Sequence, residues 1–185
     1  MDRAERRAGA ARAASFRSPP AKDLLLMGYG NPLRRDDGLG VALAERFEGT
    51  PGILVEAAQQ LNPEDAVLIS EHDRVIFVDA SRDDSVTNFR WSRLRPEARI
   101  APFSAHALAP DTVLSLSVQL TGRAPEAYLL EIKGEDWSLG EGFSAPGLRR
   151  LGMAETFLRG KISIMGPARP PRNFRRAEDP NRRRP

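Results

Sequence analysis

The chain has no cysteine. It therefore has no disulfide, no thiol nucleophile and no cysteine-ligated zinc. Such a chain suits a reducing compartment, and a cytoplasmic location is the expectation. Histidine is scarce. His72 and His106 are the only two and lie 34 positions apart, which excludes an H-E-x-x-H zinc helix. The G-x-S-x-G elbow of serine hydrolases is missing, because Gly142-Phe143-Ser144-Ala145-Pro146 fails at its last position. No G-K-[ST] occurs, so there is no P-loop to cradle a phosphate. No run approaches the ~18–20 apolar residues of a membrane helix. The Arg- and Ala-rich opening residues also lack the apolar stretch of a secretory signal.

Positive charge is missing from the middle of the chain. Residues 1–22 carry a net +4 and residues 160–185 a net +6, so the overall +3 leaves −7 for residues 23–159. The central part is acidic, and phosphate binding needs Lys and Arg on the folded surface. No nucleic-acid or membrane partner is expected. The division follows from composition: a basic extension over 1–22 and a Pro/Arg-rich tail over 160–185, both expected to be disordered, flank one domain over 23–159.

Within that domain the apolar patterning alternates between strand and helix. Residues 24–28, 53–57, 74–80 and AYLLEIKG (127–134) read as buried strands. Val75–Val78 is apolar on both faces, as a central parallel strand requires. Residues 88–95 alternate and suggest an edge strand. Helices are expected from Gly38 to the Gly49–Gly52 stop, from an Asn62 cap and Pro63 through about Ser70, over 110–121, and over 146–159. This order predicts a three-layer α/β fold, with a twisted, mostly parallel sheet flanked by helices, of the phosphorylase/hydrolase-like kind. In such sheets functional residues gather beyond the carboxyl ends of the strands.

Three residues are predicted at that edge. Asp37 follows the first strand, Asp79 ends the central strand, and His106 precedes a helix. Two carboxylates and an imidazole make a plausible divalent-metal site with open coordination positions. Each residue also has a plainer reading. Asp36 or Asp37 can cap a helix, Asp79 can close a turn, and His106 can be structural or solvated. His72, in the charged run Glu71–Asp73, reads as a solvated turn residue. A dinucleotide site is disfavoured. Gly28 and Gly30 match G-x-G, but Leu33 occupies the third glycine position, and Asp36 and Asp37 would repel a pyrophosphate while attracting a cation.

LLLMGYGNPLRRDDGLGVALAERF resembles the N-terminal signature of the hydrogenase maturation proteases through Gly28, Gly30, Asn31, Leu33, Asp36, Asp37, Gly38 and Gly40. RVIFVDAS and SAHALAP resemble the second and third signatures, and GEDWSLGEGFSAPG resembles the region before the last helix. The resemblance covers about residues 24–159. It implies an endopeptidase that trims the C-terminus of a [NiFe] hydrogenase large-subunit precursor. It also implies that Asp37, Asp79 and His106 contact nickel supplied by that precursor, with another divalent cation as a stand-in when the protein is isolated. Asp36 would assist from behind or cap the helix. A monomer is expected. The alternatives are a non-catalytic α/β module that binds a nickel-loaded partner and, less favoured, a nucleotide-binding enzyme.

Overall fold

The computed structural model describes residues 24–96 and 108–165, together with the backbone of 172–173. Strand β1 (Leu24–Tyr29) leads through a 3-10 turn (Arg35–Gly38) into α1 (Leu39–Glu45) and β2 (Ile53–Ala58). Helix α2 (Asp65–Ser70), β3 (Arg74–Ser81) and β4 (Phe89–Leu94) follow. The remainder is α3 (Pro110–Thr121), β5 (Arg123–Ala124), β6 (Glu126–Lys133), α4 (Ala145–Ile164) and β7 (Arg172–Asn173).

Five strands form one sheet in the order β2-β1-β3-β6-β4. The pairs β1–β2, β1–β3 and β3–β6 are parallel, and β4 is added antiparallel to β6 at the edge. Strands β5 and β7 make a separate antiparallel pair. The expected α/β sandwich is therefore observed, including the alternating edge strand.

Alternation along the strands sends successive side chains to opposite faces. Leu25, Met27, Val75 and Phe77 face α2 and α3, where they join Ile69, Val113 and Leu114. Leu24, Leu26, Ile76 and Val78 face the other way and pack with Leu39, Leu43, Leu151 and Leu158 of α1 and α4. Val75 to Val78 are fully buried, as a central strand covered on both faces must be. Helix α3 has Pro110 in its first turn and ends at Gly122, whose φ of 72° admits the left-handed cap; the Gly122 N–H closes on the Val118 carbonyl at 2.9 Å. No described helix is long and apolar enough to cross a membrane.

The structure departs from the sequence-based expectations at four places. Helix α2 begins at Asp65, because the Asn62 side chain is engaged with Gln60 and does not cap. Instead the Asp65 carboxylate reaches back to the Asn62 N–H at 2.7 Å. Helix α4 runs to Ile164, past the expected end at 159, because Ile162 and Met165 still find apolar surface beside the core. The backbone of Arg172 and Asn173 is paired with β5 where an unstructured tail was expected. His72 is 6% exposed and not a solvated turn residue, since the tight turn after α2 leads directly into the buried β3.

Candidate functional site

The strand order reverses between β1 and β3. Strand β1 leads outward to β2, whereas β3 lies on its other side and leads toward β6. In parallel α/β sheets the crevice beyond the carboxyl ends at such a reversal is where ligands bind. Asp37 and Asp79 flank this crevice. Asp79 stands near the end of β3, and Asp37 lies in the turn that follows β1.

Close backbone approach makes this arrangement possible. A Cβ on Gly40 would collide with the carbonyl oxygens of Val78 and Tyr29, so only glycine lets the start of α1 settle onto the ends of β1 and β3. Gly30 adopts φ 132° against the Asp37 carbonyl. The Asp37 carboxylate accepts a hydrogen bond from the Asn31 N–H at 3.0 Å, which fixes the loop around its acidic residue.

Asp79 is half-buried and accepts from the Ala80 N–H at 2.7 Å and from the Tyr29 hydroxyl. Burial pushes its carboxyl up to about 7. The two hydrogen bonds pull the other way, and the negative charges of Asp37 and Glu131 add to the rise. The Tyr29 hydroxyl is driven well above the ordinary phenol range by burial and then by Asp79. The negative charge of Asp37 thus favours a proton or a cation at the Asp79 carboxyl.

The register explains Glu131. It is paired with Asp79 across β3 and β6, and on its other side with Arg90 of β4. Arg90 grips it bidentately, with Nε at 2.6 Å and Nη2 at 2.7 Å from its two oxygens. Tyr29 and Glu131 were not recognised in the sequence. The available signal was a polar residue near the carboxyl end of an otherwise apolar strand in each case.

Asp36 has a different role from the helix cap expected for it. It is fully buried and points away from its own helix. Its carboxylate accepts from the N–H groups of Glu135 (2.8 Å), Asp136 (3.1 Å) and Ser144 (2.7 Å), and from Ser144 Oγ at 2.6 Å. Ser144 Oγ in turn caps α4 by accepting from the Gly147 N–H at 2.9 Å. Burial alone would raise the Asp36 carboxyl, but the bonds from Ser144, Glu135 and Asp136 outweigh it and hold it below the ordinary carboxylate value. The adjacent acidic residues thus divide the work. Asp36 staples the turn to the 134–144 loop, and Asp37 is left for the crevice.

His106 lies outside the described residues. Among the described residues no group of three or more His, Cys, Asp or Glu forms a metal cluster. The structure places Asp37 in the turn after β1 and Asp79 near the end of β3, close enough that the Asp37 charge acts on the Asp79 carboxyl.

No family model matches the chain, and no curated protein matches it. Solved structures do. The hydrogenase-maturating endopeptidase HybD from E. coli is 20% identical, with TM-score 0.61, covering 80% of this chain and 97% of that one. An endopeptidase from Escherichia coli is 20% identical, with TM-score 0.62, covering 80% and 96%. The [NiFe] hydrogenase maturation protease HycI from Thermococcus kodakarensis KOD1 is 26% identical, with TM-score 0.56, covering 79% and 94%. In fold, as in its sequence signatures, the chain resembles the hydrogenase maturation proteases.

Proposed function

We propose that this chain is an endopeptidase that removes the C-terminal extension of a [NiFe] hydrogenase large-subunit precursor once nickel has been inserted. The observation that carries the reading is the pair Asp37 and Asp79 at the reversal of strand order, coupled closely enough that the Asp37 charge raises the Asp79 carboxyl. The likeness to structures named as hydrogenase maturation endopeptidases supports the same reading.

Nickel is part of the substrate in this scheme. Asp37, Asp79 and His106 complete its coordination, a donor set of two carboxylates and one imidazole that suits Ni²⁺. Leu108, two residues after His106, is buried against the α2/α3 face, the face that Tyr29 shares. Holding the precursor's metal fixes the nearby peptide bond against the site, which is a proximity effect. Hydrolysis adds water across that bond and yields a new carboxylate and a free amine. The Tyr29 hydroxyl and the Ala80 N–H keep the Asp79 carboxylate in place while the precursor enters.

The test is incubation of the protein with nickel-loaded and nickel-free precursor, read by intact mass. Cleavage of the loaded form alone is expected, and His106→Ala should abolish it. Cleavage of both forms would remove nickel recognition from the scheme. Binding of the loaded form without any cleavage would favour the non-catalytic module.

A further inference from the structure

Beside the crevice, two loops are fastened to each other. Arg34 and Gly140 form a parallel bridge, in which the Gly140 N–H bonds to the Leu33 carbonyl at 2.9 Å and the Arg35 N–H to the Gly140 carbonyl at 3.2 Å. Gly140, at φ 146°, lies under the Arg35 guanidinium, and Arg35 Nε stands 3.4 Å from Asp136. Arg35 is itself at φ 48°, the one non-glycine residue with positive φ among the described residues. A residue held in that conformation against its preference marks a loop fixed by its surroundings.

This fixed lip presents apolar side chains to solvent. Leu33 is 58% exposed and Leu139 is 79% exposed, the most exposed large apolar side chain among the described residues. Between them in the clasp, Arg34 is exposed and forms no ion pair among the described residues. The lip therefore combines two ordered leucines and a free cation on a domain whose net charge is −7. Apolar surface with arginine, backed by rigid backbone, has the composition of an interface centre. Leu33 lies four positions before Asp37 in sequence, and the Asp36 staple ties both to the 134–144 loop.

The geometry points to this lip as the docking surface for the precursor, specifically for a segment that carries apolar side chains and at least one carboxylate. The inference rests on the proposed function and adds where the polypeptide is held. Leu33 and Leu139 bury the apolar side chains of that segment, and Arg34 pairs with its acidic residue. Docking there holds the polypeptide beside Asp37 while the crevice takes the metal.

The experiment compares wild type with Leu33→Ser/Leu139→Ser and with Arg34→Glu, measuring binding of nickel-loaded precursor and, separately, cleavage kinetics. Binding should weaken and KM rise by about tenfold or more for the double variant, with kcat nearly unchanged. Affinity for free Ni²⁺, measured by calorimetry, should stay at the wild-type value, which separates docking from metal recognition. Leu120→Ser, an equally exposed leucine on α3, should change nothing. Wild-type binding and KM in the lip variants would overturn this inference alone. Failure of the wild-type protein to bind the precursor at all would overturn the proposed function with it.

Discussion

At the residue scale, neighbouring carboxylates behave in opposite ways because their partners differ. Asp36 meets four donors, whereas Asp79 meets two donors and the charges of two other carboxylates. Replacing Asp36 with Ala strands four donors in a buried space. Each unsatisfied donor costs about 1–3 kcal/mol, so a loss of roughly 4 kcal/mol or more is expected in a urea melt. The folded carboxyl of Asp36 sits below its unfolded value of 3.8. Its contribution is therefore present above that pH and is lost as pH falls through the depressed value, steepening the acid limb of the stability curve. Asp79 has the reverse sign. Its folded value of about 7 exceeds the unfolded 3.8. In the metal-free protein, stability falls as pH rises from about 4 to 7, by on the order of 3 kcal/mol. Asp79→Asn should flatten that slope in melts run across the range. An unchanged slope would show that Asp79 is not the group responsible.

At the scale of the elements, the helices and the sheet are held together by close approach as much as by apolar packing. Gly40→Ala places a methyl against the ends of β1 and β3. The helix must then shift, at a cost of about 1–3 kcal/mol. Because Asp37 leads directly into that helix, affinity for Ni²⁺ should fall along with the melting temperature. A variant that loses stability but keeps its affinity would show that Asp37 is positioned by the Asn31 amide alone. These elements were largely legible beforehand. The apolar run Val75–Val78 can lie only in a sheet covered on both faces, and Pro110 and Gly122 frame α3 in plain view. The boundaries of α2 and α4 were less legible, since they depend on Asp65 reaching back to a backbone N–H and on Ile162 finding a surface to cover. The candidate site was legible in part. Asp37 and Asp79 follow from their places at strand ends, but the row Tyr29–Asp79–Glu131–Arg90 depends on strand register, and β3 and β6 are far apart in sequence. The role of Asp36 was not readable either, because its donors lie a hundred positions away.

At the scale of the whole molecule, the fold presents an acidic crevice where a nucleotide-binding sheet would offer phosphate contacts. A thermal-shift comparison tests this directly. Ni²⁺ or Cd²⁺ should raise the melting temperature, by an amount that grows with the logarithm of concentration above Kd. NAD should leave it unchanged, and a shift with NAD would restore the nucleotide reading.

The strand order also sets a schedule for synthesis. Strand β4 leaves the ribosome directly after β3, yet its place is on the far side of β6, which is made only after α3 and β5. Until then the open edge of β3 is exposed beside a strand that must not take it. Arg90 and Arg93, three residues apart on β4, disfavour that premature pairing, because Glu131 and Glu126 arrive only with β6 and until then, among the described residues, Arg90 has only Asp83 within reach and Arg93 no acidic partner. The same charges that lock the finished edge thus keep the unfinished chain waiting for its proper neighbour.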